Sequence, residues 1–203
     1  MSYIIEELIF MAEALRKENR IYNYGDYASW TDDDRWEIIE GEAHSMSPAP
    51  TLDHQRYLRR LLNKFENYLE GKTCEVFNSP CDLLLLEEGE TVDKATNIVQ
   101  PDIMVVCDSN KLFENKCCVG APDLIIEILS PSTASKDMKK KRLLYERFGV
   151  KEYWIVDPVH KTIQVFTSGE DKLYGKSNIY SSEDKIKVGL FADLEIDLKV
   201  IFA

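Results

Sequence analysis

The sequence predicts a mixed α/β (α+β) domain: a central mixed β-sheet flanked by helices, with an extra helix at the N-terminus. Three observations predict it. Apolar residues recur at helical spacing near 3–19, 52–69 and 136–148. Short runs rich in β-branched and aromatic residues lie between and beyond these stretches. The segment 124–156 reads strand–helix–strand and is long enough for a right-handed crossover between parallel strands.

Taken in order, Ile4, Ile5, Leu8, Ile9, Ala12 and Leu15 form one apolar stripe, which predicts a helix over 3–19. Such a stripe must be covered, by the domain or by a second copy in a homodimer. Residues 23–34 are a polar, Tyr-rich connector. Strands over 36–40 and 42–46 turn at Gly41, and Pro48 and Pro50 break the chain. A helix follows over 52–69, with Leu58, Leu61, Leu62, Phe65 and Leu69 as its buried stripe. Strands are expected at 74–78, 82–86, 103–107 and 124–129, with 87–96 as a charged loop. A helix over 136–148 stops at Gly149. Glu152–Val156 is a strand. A hairpin around Ser168–Asp171 joins 162–167 to 172–174, and 185–203 closes in short strands.

The chain has 203 residues, enough to bury a proper core. Its organisation reads as an N-terminal helical extension over 1–20 and one domain over 21–203. No apolar run approaches the ~18 residues that span a bilayer. The first residues carry no basic stretch or cleavage signal, so a cytoplasmic location is expected. The five cysteines, Cys74, Cys81, Cys107, Cys117 and Cys118, are odd in number and lack metal-binding spacing, and read as reduced structural thiols. A net charge of −11 disfavours non-specific nucleic-acid binding. A nuclease of this charge needs a local basic strip, which Lys136, Lys139, Lys140, Lys141 and Arg142 offer, with Arg56, Arg59 and Arg60.

Two carboxylates stand out. Glu127 interrupts the apolar strand 124–129, and Asp102 opens the apolar run 103–107. A buried carboxylate is costly unless it is paired, protonated or bound to metal. Two on neighbouring strands read as a magnesium site, since Mg²⁺ (or Mn²⁺ in its place) takes one or two carboxylates and water. For Glu127 alone, a structural ion pair with a lysine or arginine is the competing reading. Lys141 falls at i, i+3, i+4 and i+7 with Leu144, Tyr145 and Phe148, so it shares their inward stripe and can orient a water. Lys140 is the alternative register. His54 opens its helix in line with Leu58 and Leu61, within reach of a phosphate or of water on the metal. Glu37 and Glu42 are further carboxylates that can join the site.

These residues resemble a known pattern. Pro101-Asp102 followed by Glu127 looks like the core of the PD-(D/E)XK nuclease superfamily. The longer match resembles the Uma-two family of restriction-endonuclease-like proteins. It takes in Glu37-Ile-Ile-Glu-Gly41-Glu42, His54-Gln55, Val99-Gln-Pro-Asp102, Gly120 through Thr133, Asp137, Lys141, Tyr145 and Gly149 through Pro158. It covers about 22–202. The resemblance implies a restriction-endonuclease-like fold with a magnesium-dependent site at one end of the sheet. It makes Asp102 and Glu127 the metal ligands and DNA the substrate, cut to a 5′-phosphate and a 3′-hydroxyl. The lysine expected two residues after Glu127 is absent, because Leu129 stands there; Lys141 occupies the place of the lysine that substitutes from the following helix. Two readings of function follow: a magnesium-dependent endonuclease with His54, Asp102, Glu127 and Lys141 as catalytic residues, or a catalytically silent binding or regulatory protein on the same fold.

Overall fold

Among the described residues, fourteen strands and four α-helices order the chain. They are α1 (Tyr24–Tyr27), β1 (Trp36–Ile39), β2 (Glu42–Ser45), α2 (Leu52–Leu69), β3 (Glu75–Asn78), β4 (Asp82–Leu84), β5 (Ile98–Val99), β6 (Ile103–Val106), β7 (Leu112–Phe113), β8 (Cys117–Val119) and β9 (Leu124–Ile128). A π-helical segment, Lys136–Lys141, then leads into α3 (Arg142–Phe148). The rest is β10 (Glu152–Asp157), β11 (Thr162–Thr167), β12 (Asn178–Ser181), β13 (Lys185–Lys187), β14 (Glu195–Asp197) and α4 (Leu198–Phe202). This computed structural model describes residues 20–31, 35–46, 50–114, 116–130 and 134–203. The helix expected over 3–19 lies outside the described residues.

The described residues form two compact units, one from the chain up to Ser47 with Leu84–Val99, the other from Pro48–Leu83 with Gln100–Ala203. In the first, β1 and β2 make a hairpin whose turn residues Glu40 and Gly41 have φ of 52° and 76°. Positive φ at both positions is the mirror-image turn that matches strand twist. Glycine is required at 41 for a second reason: a Cβ there would stand 2.5 Å from Ile21 Cγ2. The Asn97 side chain accepts from the Glu40 N–H at 2.9 Å and ties β5 to this turn.

The second unit holds a six-stranded sheet in the order β12-β11-β10-β9-β6-β3. Only β9 and β10 pair in parallel, joined by the crossover through α3. Alternation sorts each strand into two faces. Ile103, Val105, Leu124, Ile126, Ile128, Trp154, Val156, Ile163 and Val165 enter one core with Tyr57, Leu58, Leu61, Phe65 and Leu69 of α2. Burying each such side chain contributes about 1.5–3 kcal/mol. Met104, Ile125, Glu127, Tyr153 and Ile155 have the opposite parity. Tyr145 of α3 covers this second face, its ring 5.0 Å from that of Tyr153.

Three expectations need correction. The strand beside β11 is β12, not 172–174, where only a single bridge forms between Ser168 and Tyr174; the nearest possible hairpin was not the one that pairs. The chain ends in α4, capped by the Asp197 side chain accepting from the Lys199 N–H at 2.9 Å, rather than in strands alone. Cys74 and Cys107 form a disulfide, while Cys81, Cys117 and Cys118 are free. Glu75 faces Val106 in the β3–β6 ladder, so the next pair outward is Cys74 and Cys107.

Candidate active site

Strand register brings the acidic residues to one place. β6 and β9 are antiparallel with Ile103 opposite Ile126, and one step further sets Asp102 opposite Glu127. Asp102 is anchored through one oxygen. Its Oδ2 accepts from the Ile128 N–H at 2.7 Å and lies 3.1 Å from His54 Nε2. Among the described residues its Oδ1 makes no hydrogen bond.

His54 reaches Asp102 from the first turn of α2. The Thr51 hydroxyl accepts from the His54 N–H at 3.2 Å and starts the helix. With Nε2–H donating to Asp102, the ring presents Nδ1 as an acceptor. That nitrogen is buried and finds no partner among the described residues. A buried acceptor of this kind is a place for a water or a substrate proton.

Glu127 is 3% exposed and Lys141 equally so. Lys141 Nζ donates to Glu127 Oε1 at 2.8 Å, and the Tyr145 hydroxyl donates to the same oxygen at 2.8 Å. The helical stripe accounts for this: Leu144 and Tyr145 are buried with Lys141, whereas Lys140 is exposed. Low exposure makes the pair strong and costly to break, since either charge alone would be stranded without water. Tyr153, also on this face, has its pKa raised well above the usual phenol range by burial and then by the charges of Glu127 and Asp137, so it keeps its proton. Its hydroxyl donates to the Asp137 carbonyl at 3.1 Å.

A family profile, Uma2, described as "Putative restriction endonuclease", matches residues 24–199. The chain belongs to the Uma2 family. A Synechocystis sp. (strain ATCC 27184 / PCC 6803 / Kazusa) protein named "Uncharacterized protein slr1290" is 25% identical over 166 residues, covering 80% of this chain and 82% of its own. A crystal structure titled as that of "a putative nuclease belonging to DUF820" from Anabaena variabilis ATCC 29413 aligns with a TM-score of 0.70 at 20% identity. It covers 89% of this chain and 97% of that one. The fold is therefore nuclease-like, a mixed α+β architecture.

In this Uma2 chain the second unit brings His54, Asp102, Glu127 and Lys141 together. Glu37, fully buried in β1, and Glu42, exposed in β2, belong to the first unit. Among the described residues no three His, Cys, Asp or Glu side chains cluster to hold an ion. Two carboxylates with a free Asp102 oxygen fit magnesium, which completes its shell with water, and do not fit zinc, which wants a fuller set of nitrogen and sulfur ligands. The sequence reading gave no role to three groups found here: the Ile128 N–H, the Tyr145 hydroxyl and Asp137. The last two were findable, because Asp137, Lys141 and Tyr145 recur at spacing four, one helical face. Two arginines of the expected basic strip are committed elsewhere. Arg60 donates to the Ile201 and Ala203 carbonyls at 2.7 and 2.6 Å, and Arg56 pairs with Asp53 at 2.6 Å. No described helix is long and apolar enough to cross a membrane.

Proposed function

We propose that this Uma2 protein is a Mg²⁺-dependent endonuclease that hydrolyses DNA phosphodiester bonds. The observation that carries the reading is a buried lysine–glutamate pair set beside a second carboxylate at the same end of the sheet. A catalytic lysine missing from its usual strand position is supplied by a helix instead. The family's description and the nuclease title of the Anabaena protein support the same reading.

Asp102 and Glu127 would hold the ion, with Mn²⁺ an acceptable substitute. Such an ion supplies charge stabilisation at phosphate and a water of lowered pKa. Lys141 presents its ammonium to the developing phosphate charge and orients the attacking water. His54, held by Asp102 through Nε2, offers Nδ1 to accept a proton or a hydrogen bond. The exposed Lys139 and Arg59 can meet the phosphate backbone.

Incubation with supercoiled, linear and single-stranded DNA in Mg²⁺ or Mn²⁺ tests this. Cleavage that requires the metal and is lost in Asp102→Ala is expected; cleavage retained in Asp102→Ala overturns it. A second reading, a silent nuclease fold with a binding or regulatory role, is favoured by the closed Glu127–Lys141 pair and the net charge of −11. It predicts that divalent metal leaves the melting temperature unchanged. The endonuclease reading predicts a rise that Glu127→Ala abolishes.

A further inference from the structure

Asp137 has no part in the chemistry above, yet it is 2% exposed. It lies in the π-helical segment Lys136–Lys141. Residues four apart lie on one helical face, and π-helical turns frequently occur at functional sites. Asp137 Oδ1 is consequently 3.7 Å from Lys141 Nζ, whose donor bond to Glu127 Oε1 measures 2.8 Å. The Tyr153 hydroxyl pins this turn to β10 through the Asp137 carbonyl. One ammonium thus stands between two buried carboxylates, near to one and a short swing from the other.

A divalent cation at Glu127 competes with Lys141 for the same carboxylate. Moving Lys141 off Glu127 strands its charge unless another anion receives it in the same dry surroundings. We propose that Asp137 is a positioning residue that takes over Lys141 when Glu127 engages the metal, so the lysine changes partner instead of losing one. This rests on the metal site proposed above. No bond is made or broken in the exchange; one ammonium shifts between two carboxylates.

Mn²⁺ binding to the full chain, followed by the electron paramagnetic resonance signal of the free ion and without DNA, tests the exchange. Asp137→Asn is expected to weaken Mn²⁺ by about tenfold or more, as loss of an outer partner does. In a Lys141→Met background the same substitution is expected to cost several times less, because no lysine remains to be received. Asp137→Glu, which keeps the charge, is expected to retain most of the affinity and separates a charge effect from a packing defect. Equal weakening in both backgrounds, no weakening by Asp137→Asn, or an Asp137→Glu as weak as Asp137→Asn overturns the proposal. Wild-type protein that binds no Mn²⁺ overturns the metal site itself, and the exchange with it.

Discussion

Glu127 and Glu152 are both buried glutamates on adjacent parallel strands, and the molecule satisfies them in different ways. Glu152, 1% exposed, takes one neutral donor on each oxygen: the Trp154 indole N–H at 2.8 Å and the Leu190 main-chain N–H at 2.9 Å. Glu127 takes an ammonium and a phenol on a single oxygen. Fixed dipoles suit a carboxylate that never changes partner. A cation on a flexible stem suits one that must let go. Burial alone does not separate these two carboxylates; the kind of donor does.

The largest break in this comparison is expected in catalysis. Lys141→Met should lower DNA cleavage by on the order of 10²–10⁴-fold, the range for a positioned acid–base group. Lys140→Met and Glu152→Gln should leave cleavage near wild type wherever the protein is folded. Equal losses for Lys141→Met and Glu152→Gln would erase the distinction.

Stability measured by urea unfolding sharpens it. Lys141→Met leaves Glu127 and Asp137 buried without their shared cation and should cost about 3–5 kcal/mol without metal. Glu152→Gln turns an amide donor towards one of two donors and should cost about 1–3 kcal/mol, with or without metal. Mn²⁺ should recover part of the first loss and none of the second.

The smallest effect concerns Asp157, a surface counterpart at the end of β10. Partial burial raises its pKa, but the His160 side chain and the His160 and Val159 N–H groups outweigh this and hold it below the ordinary carboxylate value. A lowered folded pKa gives stability that is present above the unfolded value and lost as pH falls through the folded one. Asp157→Asn should therefore cost about 0.5–1 kcal/mol at neutral pH, and the difference from wild type should fade as pH falls through the lowered pKa of the folded protein. A difference that persists below that pKa would remove the carboxylate charge from the explanation.

Much of this was legible before any coordinates. Glu127 announced itself by breaking an aliphatic run, and Lys141 by falling on the apolar stripe of its helix. The 52–69 helix was readable because its stripe is unbroken. What escaped depends on pairing between distant segments. The Cys74–Cys107 bridge follows from the β3–β6 register, which a separation of 33 residues does not encode locally. β12 carries only Ile179 and Tyr180 as apolar residues, too few to outweigh the nearer hairpin signal. Glu152 sits at a strand start, where a charge excites no suspicion, and only the folded protein reveals the indole that meets it.

The alternation of β9 also bears on how faithfully the chain folds. Leu124, Ile126 and Ile128 enter the apolar core, while Glu127 meets Lys141 on the other face. A slip of one residue against β6 or β10 would exchange the two sets. It would press Glu127 among Phe65, Trp154 and their neighbours, at a penalty of several kcal/mol for an unpaired charge. An all-aliphatic strand would tolerate that error at small cost. The acidic residue thus weighs against a slipped register: the group proposed to work in the finished protein also makes misalignment of β9 costly.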